Sequence, residues 1–118
     1  MRASIRRLHT PDAAGLHEYR PADDADFSLC VQVLVGPSSA EGEESFDLEV
    51  VTPANVARRL ARTGPMSGRH LLLVDRFDPA AIERWLHRAV ARCEAPTWRE
   101  LALQLSQVGH WEFDDYAP

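Results

Sequence analysis

Phe27, Leu29, Val31, Val33 and Val35 alternate with Ser28, Cys30, Gln32 and Leu34, and further on Phe46, Leu48 and Val50 alternate with Ser45, Asp47 and Glu49. A period of two suits a half-buried strand and does not suit a helix, whose apolar positions recur every three or four residues. Gly36 and Pro37 stop the first run, and a loop of about eight residues leads to the second, longer than the common two- to five-residue hairpin turns. The two runs therefore predict a hairpin with one apolar face. Ser28, Gln32, Asp47 and Glu49 must then share the other face, which gives the sheet a polar, acidic side.

Around this hairpin the chain supplies one more early strand and then helices. Ala3 to Leu8 reads as a short first strand ended by Thr10-Pro11-Asp12, and residues 11 to 25 as a polar connection. Thr52-Pro53 predicts a helix start, with Thr as N-cap and Pro where its missing N–H costs nothing. Val56 and Leu60 stack one turn apart before Gly64-Pro65 ends that helix. Arg69 to Phe77 reads as a strand. Its run Leu71-Leu72-Leu73-Val74 lacks alternation, as in an interior strand covered at least partly on both faces.

Asp78-Pro79 repeats the cap device. Ile82, Trp85, Leu86, Ala89, Val90 and Cys93 then form one helical stripe, with Arg84, Arg88 and Arg92 on the wet side. Thr97-Trp98-Arg99-Glu100 is a capping box for a third helix, whose Leu101, Leu105 and Val108 face the core until Gly109. Near the end, Trp111 and Phe113 alternate with acids, as in a short last strand. Partly segregated strands and helices predict an α+β fold: an antiparallel or mixed sheet of about four strands, with three helices packed mainly on one face. Its 118 residues make one domain, 1–118, large enough for a core without metal or disulfide staples.

Nothing at the N-terminus resembles a signal peptide, and the longest apolar run, Leu71 to Val74, is far too short to span a bilayer. A cytosolic location follows as the expectation, with no membrane partner. There Cys30 and Cys93 are expected as reduced thiols packed like small hydrophobes.

The charge is unevenly distributed. Between Asp12 and Glu49 ten carboxylates face one arginine, Arg20, whereas from Arg58 to Arg99 nine arginines face four acids. Acid returns at the end as Glu112, Asp114 and Asp115. The net charge of −5 is thus concentrated in three stretches, either as a solvated face or as a surface for a positive partner, and charge alone does not decide between them. Nucleic acid is disfavoured by the sign of the charge, and the Arg84, Arg88, Arg92 face reads as solvated.

Catalytic and metal signals are missing. The six glycines are scattered, no His/Cys pairs stand at zinc spacings, and no cofactor motif occurs. Glu83 and His87 read as a surface i,i+4 pair. Glu43-Glu44 could be an acid/base pair only if something apolar raised one pKa, and nothing nearby does. An enzyme is therefore unsupported.

Several stretches together carry a likeness. Leu34-Val35-Gly36, Gly42-Glu43-Glu44-Ser45-Phe46-Asp47 and Val51-Thr52-Pro53 come first. Gly68-Arg69-His70, Thr97-Trp98 and Val108-Gly109-His110-Trp111-Glu112-Phe113 follow in the same order. In these the chain resembles the immunity protein 8 family, cytosolic antidotes encoded beside bacterial polymorphic toxins. The resemblance implies a non-catalytic protein, without cofactor, that binds and blocks a cognate toxin domain. A basic, nucleic-acid-cutting groove on that toxin would suit the acidic surface.

The expected partner-binding residues are Asp23, Asp24, Asp26, Glu41, Glu43, Glu44, Asp47, Glu49, Glu112, Asp114, Asp115 and Tyr116, with Tyr19 as a further anchor. Two other classes stay open at this point. One is a stand-alone interaction domain such as a secretion-system chaperone or adaptor. The other is a small enzyme whose site would assemble around His70 or His87 beside a carboxylate.

Overall fold

The computed structural model describes residues 1–113. Strand β1 (Ala3–His9) pairs antiparallel with β2 (Ser28–Pro37), which pairs antiparallel with β3 (Glu44–Val51). The far edge of β3 is shared by two short strands. β4 (Leu71–Leu73) runs parallel to Glu49–Val51, and β5 (His110–Trp111) runs antiparallel to Phe46 and Asp47. The sheet is open and mixed, with five strands among the described residues. The helices are α1 (Pro53–Thr63), α2 (Pro79–Ala91) and α3 (Trp98–Leu105).

The alternation of the central strands sets the core. Leu29 pairs with Val50, Val31 with Leu48 and Val33 with Phe46, and all six are buried. Onto this face pack Ile82, Leu86 and Val90 of α2 and Leu101 and Leu105 of α3. Complete burial of such aliphatic side chains contributes roughly 1.5–3 kcal/mol each before conformational entropy is charged against it. Asp78 caps α2 by accepting from Ala81 N–H at 3.2 Å, and Thr97 caps α3 by accepting from Glu100 N–H at 3.2 Å. Trp85 sits at the margin of its stripe and is 40% exposed.

Helix α1 is different. None of its residues is buried, and Leu60 is exposed, because the Val56/Leu60 pair is too narrow a stripe to enter the core. Its tie to the sheet runs to the opposite face, through Arg59 to Glu49. Two of the three helices thus cover the core face, in keeping with helices mainly on one side. Thr52 precedes α1 as expected, but its hydroxyl accepts from Phe27 N–H at 3.0 Å and makes no side-chain cap.

The Leu71–Val74 run behaves differently from an interior strand. Only three residues pair, at the sheet edge; Leu72 alone is buried and Leu73 is 60% exposed. A short apolar run carries no period by which to tell an edge from an interior. Cys93 is buried as expected, while Cys30 is exposed on the outer face; both are free. No helix among the described residues is long and apolar enough to cross a membrane.

Candidate functional site

The face of the sheet turned away from α2 and α3 is built by the odd-even rule of the strands. Register places His9 beside Gln32, Gln32 beside Asp47 and Asp47 beside His110, so these four form one row across β1, β2, β3 and β5. The next row joins Cys30, Glu49 and Leu71. Between them lies a depression of about 540 Å³, walled by His9, Cys30, Gln32, Asp47, His70 and Leu71, with Pro11 and Arg69 also lining it.

His70 is held firmly there. It has a left-handed backbone, φ 63°, uncommon for a residue with a side chain. Its carbonyl accepts from Glu49 N–H at 3.0 Å, its Nε2 lies 2.8 Å from the Ser106 carbonyl, and its ring meets that of His110 edge-on at 5.8 Å. A nitrogen facing a carbonyl oxygen carries a proton, so His70 donates from Nε2 to Ser106.

Glu49 is committed within the fold. Arg59 of α1 donates to both its oxygens, Ser28 Oγ–H donates to Oε2, and Arg59 is itself steadied by Asn55 at 2.9 Å. The Arg59 bond, and then the Ser28 bond, hold the Glu49 carboxyl below the usual carboxylate range despite partial burial. Cys30 is shifted the other way: burial first, then the Glu49, Asp12 and Asp47 carboxylates, push its thiol up. It is a poor nucleophile. Asp47 is exposed and carries no ion pair among the described residues.

The remaining candidate acids divide between the two ends of the hairpin, separated by the ten residues of β2, roughly 30 Å of strand. At the β2 start, Asp26 pairs with Arg58, Asp24 stands 4.0 Å from Arg76, and Asp23 Oδ1 accepts from Ala25 N–H at 2.9 Å. At the other end, Glu43 pairs with Arg7 at 2.9 Å, and Glu41 is exposed. Glu112, also exposed, follows the Trp111–Phe46 pair at the same end.

Glu44, however, turns inward. Its Oε2 accepts the indole N–H of both Trp98 and Trp111, each at 2.9 Å, tying α3 and β5 to the start of β3. Tyr19 is half-buried in an aromatic cluster with Phe27 and Phe77, its ring 5.4 Å from that of Phe77. Trp111 stacks on Phe46 as a docked strand residue should, while Phe113 is 43% exposed. Asp114, Asp115 and Tyr116 lie outside the described residues.

Two groupings escaped sequence reasoning. One is the pair of indoles on Glu44, 54 and 67 residues away. The other is His17, which joins Glu83 at 2.6 Å beside the expected His87 pair at 3.7 Å and holds the Glu83 carboxyl below its usual range. Neither has a sequence signal, because each partner arrives from another element. Among the described residues no group of three or more His, Cys, Asp or Glu could hold a metal ion. Nor does any hydrogen bond join Cys30 to a histidine in a nucleophile–base pair.

Against known proteins, the family described as Immunity protein 8 matches residues 3–116, nearly the whole chain. No curated protein and no solved structure matches it. The chain belongs to the immunity protein 8 family.

Proposed function

From membership in a family of immunity proteins, which in general bind a cognate toxin, we propose that this chain neutralises its toxin domain without catalysis, through an acidic surface, in the cytosol. The carrying observation is that Glu41, Asp47 and Glu112 are exposed and make no ion pair among the described residues, whereas Asp26 and Glu49 are held by Arg58 and Arg59. Together with Glu43, whose pair with Arg7 is exposed, they give the hairpin-loop end and the outer face of β3 a negative field that Arg6 and Arg7 offset in part.

That field would steer a basic toxin domain and lift association above the neutral range of about 10⁵–10⁶ M⁻¹s⁻¹. A basic toxin groove that ordinarily receives nucleic acid would be filled by protein instead. Nucleic acid and membrane have no part in this reading.

The test is co-expression with the toxin domain encoded beside this gene, scoring survival and co-purification. Survival with a stable complex supports neutralisation; toxicity with no complex rejects it and leaves an interaction domain of another kind. Glu41→Lys with Glu43→Lys should slow association and flatten its salt dependence. An unchanged association rate removes the loop from the docking surface.

A further inference from the structure

We propose that the depression on the outer sheet face receives one arginine side chain of the toxin domain, with Asp47 as its anion. This deepens the neutralisation reading and rests on it. A docked guanidinium needs a carboxylate not already spent, further acceptors set around a plane, and walls that exclude water. The depression supplies the first in Asp47 and a neighbouring acceptor in Gln32, with side chains around them as walls.

Of the two carboxylates in the depression, Glu49 is saturated by Arg59 and Ser28, which leaves Asp47. Arg59 is occupied by Glu49, and no ion pair among the described residues involves Asp47. Gln32, next to Asp47 across the strand pair, can turn its amide oxygen to a second N–H. His70 lines the same depression. Leu71 and His9 line the same depression and can pack against the cation's side chain.

The depression's volume, about 540 Å³, lies within the range of roughly 300–1,000 Å³ typical of small-ligand sites. A lysine would satisfy Asp47 but offers a point charge with no planar fork, so the site should discriminate between the two cations. Arginine is also the cation most often found at the energetic centre of protein interfaces.

Two measurements test this. In the first, N-acetyl-L-arginine methylamide is titrated to about 50 mM, a range that reveals millimolar binding, against the ¹⁵N-labelled protein, with the lysine analogue at equal ionic strength. Shifts confined to residues 9, 30–32, 47 and 70–71, larger for arginine and lost in Asp47→Asn, support the proposal. No shift there, equal response to lysine, or persistence in Asp47→Asn overturns it.

In the second, Asp47→Asn should weaken the toxin complex about ten- to a hundred-fold, as expected for loss of a charged hydrogen bond. Its thermal stability should be unchanged, and Asp47→Glu should recover part of the loss. Full affinity in Asp47→Asn overturns the proposal while leaving neutralisation intact. Failure of the wild type to protect cells sinks neutralisation and leaves the arginine titration standing by itself.

Discussion

Replacing Glu44 by alanine removes one carboxylate oxygen on which two indoles converge, each at 2.9 Å. All three side chains are half-buried, so water cannot fully replace the lost acceptor. Hydrogen bonds to charged groups contribute about 1.5–3 kcal/mol each, and partial exposure argues for the lower end. Two bonds sharing one oxygen then give a destabilisation of about 3 kcal/mol. At roughly 4 °C per kcal/mol for a chain of this size, Tm should fall by about 12 °C. Glu44→Gln keeps a carbonyl acceptor and loses only the charge, so about 1 kcal/mol is expected.

Urea unfolding should be followed by far-ultraviolet circular dichroism, because the tryptophans are themselves perturbed. Indole N–H resonances provide the local readout. Those of Trp98 and Trp111 should move and lose exchange protection in Glu44→Ala, while that of exposed Trp85 stays in place. A loss under about 0.5 kcal/mol with unchanged indole signals would refute the reasoning and free Glu44 for the docking surface.

Two further outcomes follow from named contacts. Glu49→Gln should cost about 1 kcal/mol at neutral pH, as for a well-formed ion pair that is partly shielded. Because the folded-state pKa of Glu49 is depressed, this contribution is present above the ordinary carboxylate value of 4.5 and is lost as pH falls through the lower folded value. The Tm gap between wild type and variant should therefore close below that range, and a gap independent of pH argues against the ionic tie. Gly36→Ala should destabilise by about 2 kcal/mol or more in urea titrations, since its Cβ would overlap the Gly42 carbonyl oxygen across the hairpin loop; a neutral effect would mean that the loop yields freely.

Much of what neighbours in sequence govern was legible in it. The period-two runs of β2 and β3, the stripe of α2, the caps Asp78 and Thr97, and the docking of Trp111 all appear where local pattern puts them, because side-chain direction follows backbone geometry over a few residues. Most of the outward residues on β2 and β3 were likewise named by that alternation, though it could not add His9, His70 and His110 to them.

Only the folded chain decided which charges remain available. A carboxylate counts as surface charge or as a structural ligand according to what stands within about 3 Å, and those partners come from 10 to 67 residues away: Arg59 for Glu49, Arg58 for Asp26, Trp98 and Trp111 for Glu44. Sequence determined how many acids this protein carries and, on the strands, which way they face. Tertiary structure decided that Glu44 and Glu49 hold elements together while Asp47, in a depression, has no ion pair among the described residues, because electrostatic and hydrogen-bond energies depend on distance through space, to which distance along the chain is no guide.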